Sequence, residues 1–132
     1  MSDQGPGAWV WVKPSAVFAV HDRQIAEHGG LDGIRNRGAI ESALARPVNL
    51  ANCGVPDWAD LAAAYAYGLA MNHGFSDGNK RTAWVTARLF LAQNGVSLEF
   101  EALEAVQVME RMAAGKVGER ELAEWFRARG SG

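Results

Sequence analysis

The stretch Leu61-Ala-Ala-Ala-Tyr-Ala-Tyr-Gly-Leu-Ala-Met-Asn-His73 is what most constrains the fold of this chain. Its alanines favour helix, and Gly68 interrupts it without a turn signal beside it. Small residues on most sides let neighbouring helices approach closely, so this segment is expected to be a buried helix surrounded by others. At 132 residues, 48% of them hydrophobic, the chain suits one domain with a core that needs no disulfide.

The elements around it follow from local signals. Trp9-Val-Trp-Val12 is aromatic and β-branched, which predicts a strand. A helix is expected from Pro14, ended by Gly29-Gly30. After the turn-rich GGLDGIRNRG, a short helix over AIESALAR should stop at Pro47, followed by a loop through NLANCGVPDWAD. Asp57 and Asp60 are candidate caps for the alanine-rich helix, which should end near His73. A fourth helix is expected from Asn79 to Asn94-Gly95, then a strand VSLEF pairing with WVWV. Two further helices, EALEAVQVMERMAA and ERELAEWFRAR, should end at Gly115 and Gly130. The fold class is therefore mostly α with a small β element. Residues 9–129 are expected to form the single domain, with 1–8 and 130–132 as tails.

Charge and cysteine content exclude some functions. The net charge is -2 and the sequence pI about 5.9, which opposes a nucleic-acid binder. One cysteine, Cys53, cannot form an internal disulfide, and no basic group near it in sequence would activate it. With no signal peptide or apolar run long enough for a membrane span, a cytoplasmic protein is expected, without direct nucleic-acid or membrane partners. Three histidines and one cysteine do not suggest a zinc set. His21 reads as polar filler or surface, and His28 as a helix-end residue.

The chemistry is concentrated in His73-Gly-Phe-Ser-Asp-Gly-Asn-Lys-Arg-Thr82. His73 can take a proton from a hydroxyl near neutral pH. Asp77 offers a hard oxygen ligand suited to magnesium beside substrate phosphates. Gly78 lets backbone approach a ligand, and Asn79 opens a helix whose N–H groups suit an anion. Lys80 and Arg81 lie in that helix's first turn, where the helix dipole disfavours cations, and a bound anion would offset the cost. Phe75 is the apolar anchor of the loop. Each residue also has an ordinary use as cap, turn residue or solvated face; the combination in order favours a phosphate site. A Walker-type loop is excluded, because Gly78 is followed by Asn79 rather than Lys-Ser/Thr.

HGFSDGNKRTA resembles the Fic/Doc signature, His-x-Phe-x-Asp/Glu-Gly-Asn-Gly-Arg, with Lys80 in place of the final glycine as in the Doc (death-on-curing) branch. HGGLDGIRNRGAIESALARP and RLFLAQNGV are also similar to family stretches, and the resemblance runs from Trp9 to Arg129. It implies the helical Fic core, with His73 as base and Asp77 holding Mg2+ and assisting that base. It also implies an anion cradle at Gly78 and Asn79, with Lys80 and Arg81 on the phosphates of ATP. The Doc branch implies a kinase: transfer of the γ-phosphate to a threonine of elongation factor Tu by a toxin held in check by a small antitoxin. The alternatives are AMP transfer to a protein hydroxyl, as in ordinary Fic proteins, and a non-catalytic protein-binding module. Trp84 stands where full Fic motifs carry a second arginine, which favours the Doc-like reading, whereas Val85 replaces an asparagine of Doc itself. Ser97 to Glu101 approaches the Fic inhibitory pattern but is broken by Ala102.

Overall fold

The computed structural model describes residues 8–132. Among them are six helices, α1 (Pro14–His28), α2 (Arg37–Cys53), α3 (Trp58–Met71), α4 (Asn79–Gln93), α5 (Ala102–Ala113) and α6 (Glu119–Arg129). Two short strands, β1 (Ser97–Leu98) and β2 (Gly130–Ser131), complete the mostly α architecture.

The alanine-rich α3 is the axis of the fold, buried from Ala59 to Ala70 on nearly every side. It packs against α2, α4 and α6, and α1 crosses α4. Its small side chains set these distances: a Cβ on Gly68 would lie 3.3 Å from the Cβ of Ala43 on α2. Helices that approach this closely gain dispersion contacts along their length. Tyr65 is the large exception, and its buried hydroxyl accepts the Val12 amide at 3.1 Å. Burial pushes the Tyr65 phenol above its ordinary range.

Several local expectations are corrected. Trp9–Val12 is not a strand. It is held instead by Asn94, whose side chain bonds both the amide and the carbonyl of Val10 at 2.9 Å, while Trp9 and Trp11 lie against Phe90. The second expected strand pairs elsewhere: β1 is antiparallel to β2, with Ser97 opposite Ser131 and Leu98 opposite Gly130. Gly130–Ser131 is thus sheet where a tail was expected. Helix α2 starts earlier than expected, with the Asn36 side chain accepting the Ala39 amide at 3.0 Å. It also runs through Pro47 and NLANC to Cys53. A mid-helix proline costs about 3 kcal/mol, but the Pro47 ring is buried and Leu44, Leu50 and Ala51 pack on the core around it.

Asp57 and Asp60 form a reciprocal cap at the start of α3, each side chain accepting the other's amide at 2.9–3.0 Å. Arg127 of α6 forks onto both carboxylates, at 2.7 and 3.0 Å to Asp57 and 3.0 Å to Asp60. That guanidinium, foremost among the causes, holds the Asp57 carboxyl below its usual range. A carboxylate depressed in the folded state stabilises above its unfolded pKa near 3.8, and that stability is lost as pH falls through the lower folded value. Replacing Asp57 by Ala should cost about 1–2 kcal/mol in thermal or urea unfolding near neutral pH. It should also flatten the stability decline below about pH 4.

Candidate active site

The segment between α3 and α4 is held from three sides. Asn72 caps α3, and His73 turns the chain in the left-handed region at φ 50. That conformation costs a non-glycine residue roughly 1–2 kcal/mol, and persists only where the surroundings enforce it. They do so here. The Gly74 carbonyl accepts the amides of Arg35 and Asn36, both at 2.9 Å, and the Gly33 carbonyl accepts the Ser76 amide at 3.0 Å. Phe75 and Ile34 form an antiparallel bridge. Gly74 must be glycine, because a Cβ there would collide with Ile40 Cγ1 on α2.

Phe75 is 1% exposed and anchors the loop, as the sequence predicts. Its ring lies edge-on to Phe18, 5.7 Å away, and stacks on His21 at 3.8 Å and 10°. Its backbone is clasped by Asn79, whose Oδ1 accepts the Phe75 amide at 3.1 Å while Nδ2 donates to the Phe75 carbonyl at 3.0 Å. The Asn79 side chain therefore closes the loop on itself.

His73 and the motif residues from Ser76 to Arg81 border one cavity of about 1020 Å³ between the loop, α4 and α5. His73 and Asp77, both exposed, lie on its wall with Gly78, Lys80 and Arg81. Gly78, at φ 75, occupies the cap position of α4 in the left-handed region that favours glycine. Asp77 is bonded on both oxygens, Oδ1 to the Gly78 amide at 2.8 Å and Oδ2 to the Leu31 amide at 3.3 Å. These two bonds, Gly78 first, hold its carboxyl below the ordinary range and keep it ionised. An ionised, exposed carboxylate with spare lone pairs facing a cavity fits a magnesium ion held by one carboxylate plus substrate phosphates.

Lys80 Nζ meets Glu110 of α5 at 2.8 Å. The two side chains are 44% and 60% exposed, and a pair of this kind contributes at most about 1 kcal/mol. A phosphate, with more charge and more acceptors, can displace it. Arg81 makes no ion pair among the described residues. Arg88 also borders the cavity, its guanidinium 5.1 Å from the Phe100 ring centre. Trp84 lies between these arginines on α4, and its ring packs on Phe100, Trp125 and Phe126.

Residues 11–91 match the Fic/DOC family. The chain belongs to that family. It is 32% identical to the protein named "Protein kinase doc" of Escherichia phage P1 over 117 residues, 88% of this chain and 92% of the relative. It is 42% identical to "Toxin Doc" of Mycolicibacterium smegmatis over 90 residues, 64% of this chain and 68% of the relative. Both alignments agree with the resemblance read from HGFSDGNKRTA.

Sequence reasoning missed His21, Glu110 and Arg88. His21 is not surface filler: it is 2% exposed and bonds the Asp77 carbonyl at 2.8 Å. Its spacing of four from the buried Val17 on α1 was the available signal, since it puts both on one helix face. Cys53 is exposed at the end of α2, away from the cavity wall. No described helix is long and apolar enough to cross a membrane.

Asn79→Ala should remove two loop hydrogen bonds, each contributing about 0.5–1.5 kcal/mol. The expected outcome is faster amide exchange at Phe75, with the exchange of α3 amides little changed. Unchanged exchange at Phe75 would contradict the closing role of this side chain.

Proposed function

We propose that this member of the Fic/Doc family is an ATP-dependent protein phosphotransferase acting as the toxin of a toxin–antitoxin pair. Its target would be a hydroxyl of a translation factor, elongation factor Tu by resemblance. A small antitoxin would restrain it, and the cytoplasm would be its place of action. The observation that carries this reading is the gathering of His73, Asp77, Lys80 and Arg81 on one cavity wall. The names "Protein kinase doc" and "Toxin Doc" borne by its relatives support it.

The chemistry is mostly positioning and charge balance. His73 would take the proton of the acceptor hydroxyl as its oxygen bonds the γ-phosphorus. The bond from that phosphorus to the β–γ bridging oxygen breaks, and its electron pair leaves with ADP. Lys80, freed from Glu110, and Arg81 would balance the spreading negative charge, with backbone N–H groups at the start of α4. Asp77 would hold Mg2+, which when bound shields charge on the phosphates. The cavity is large enough for a nucleotide, and its left-handed His73 presents the imidazole from a backbone that has little freedom to move.

Incubation with elongation factor Tu, Mg2+ and ATP labelled at either the γ or the α position tests the reading. Label from the γ position alone is expected. His73→Gly suits the left-handed turn and removes only the imidazole, so it should abolish transfer while unfolding within about 1 kcal/mol of the parent. Label from the α position would make the chain an AMP transferase. No label from either on this acceptor would contradict the proposed target.

A further inference from the structure

His21 stands outside the motif, on the buried face of α1, fifty-six residues before the Asp77 carbonyl that it bonds. A buried imidazole costs free energy that an apolar side chain would not, so its place calls for a function in the bond it makes. A carbonyl oxygen can only accept, so Nε2 carries the hydrogen and donates at 2.8 Å. The accepting carbonyl belongs to the peptide that joins Asp77 to Gly78. The N–H of that same peptide donates to Asp77 Oδ1 at 2.8 Å. One peptide plane is therefore fixed at both ends, by His21 at its oxygen and by the Asp77 carboxylate at its nitrogen.

The plane needs fixing. Gly78, at φ 75, has no Cβ to resist a rotation of the preceding peptide. If that plane turned, the N–H would leave Oδ1, and the carboxylate would keep only the longer bond from Leu31 at 3.3 Å. The stack of His21 on Phe75 fixes the ring's own plane and thus the direction of its N–H.

We propose that His21 is a positioning residue of the transfer site: it locks the Asp77–Gly78 peptide so that the Asp77 carboxylate faces the cavity in one orientation. This rests on the reading of Asp77 as the residue that holds the cation beside the nucleotide. His21 acts through the peptide and touches no substrate.

The test compares the full-length protein with H21F, H21M and H21Q. Phe keeps the stack without the donor. Met and Gln have nearly the same shape, and of the two only Gln can donate. H21F and H21M should lose roughly ten- to a hundred-fold in kcat for γ-phosphoryl transfer, with the KM for the protein acceptor unchanged. H21Q should recover most of it. The Gly78 amide should exchange faster in H21F and H21M than in the parent and H21Q. Should one of the apolar variants not fold, the other serves in its place. Equal kcat in H21M and the parent, or equal impairment of H21M and H21Q, would overturn the proposal. If the parent itself transfers no label, the functional reading fails separately. Gly78 exchange then still decides the role of His21: equal rates in all four proteins would end it.

Discussion

The site depends on one side chain being locked in the core. Phe75, clamped between Phe18 and His21, pulls the loop between α3 and α4 down onto α1. Everything the loop presents is arranged around that anchor. Asn79 clasps the anchor's backbone, so α4 starts at a fixed place and its first turn borders the cavity. The carbonyl of Gly74 is tied to the amides before α2, which forces His73 into the left-handed turn. The motif residues thus sit on a short loop secured on three sides.

The packing of the helices makes this anchoring possible. Seven of the ten buried residues of α3 are alanine or glycine, so α2 and α4 come close to it. Close approach brings Ile40 of α2 against Gly74, at the point where the loop leaves α3. The charged surface behind supports the same axis: Arg127 binds both aspartates that cap the start of α3, and Arg129 reaches Glu104 at the start of α5 at 2.9 Å. Helix α5, so held, forms the far wall of the cavity and supplies Glu110 opposite Lys80. Stability and chemistry are linked through α3 and the two segments that leave its ends.

Much of this was legible in the sequence. The buried α3, the helix starts at Pro14 and Asn79, the glycine stops, the capping aspartates and the anchoring Phe75 all rest on local rules that the tertiary structure obeys. The motif itself was legible because the order of its residue types is uncommon and resembles a family signature. What was not legible involves partners distant in sequence. Trp9–Val12 has strand composition, but its backbone is satisfied by the Asn94 side chain. Pro47 is a sound local stop, overridden by burial of its ring and its neighbours. His21 is unremarkable in α1 until the loop folds onto it. The Asn79 side chain had no assigned partner in the sequence, and it clasps the backbone amide and carbonyl of Phe75. Glu110 has no sequence signal at all, since it acts only by facing Lys80 across the cavity.

The central claim is that this preset loop and the cations beside it form a seat for the phosphates of a nucleotide with its magnesium. Calorimetric titration of the purified protein with ATP and Mg2+ measures that directly, before any target protein is needed. The account predicts saturable one-to-one binding, weakened in Arg81→Ala and in Asp77→Asn and strengthened in Glu110→Gln, which frees Lys80. Absence of binding, or binding indifferent to all three substitutions, would contradict it.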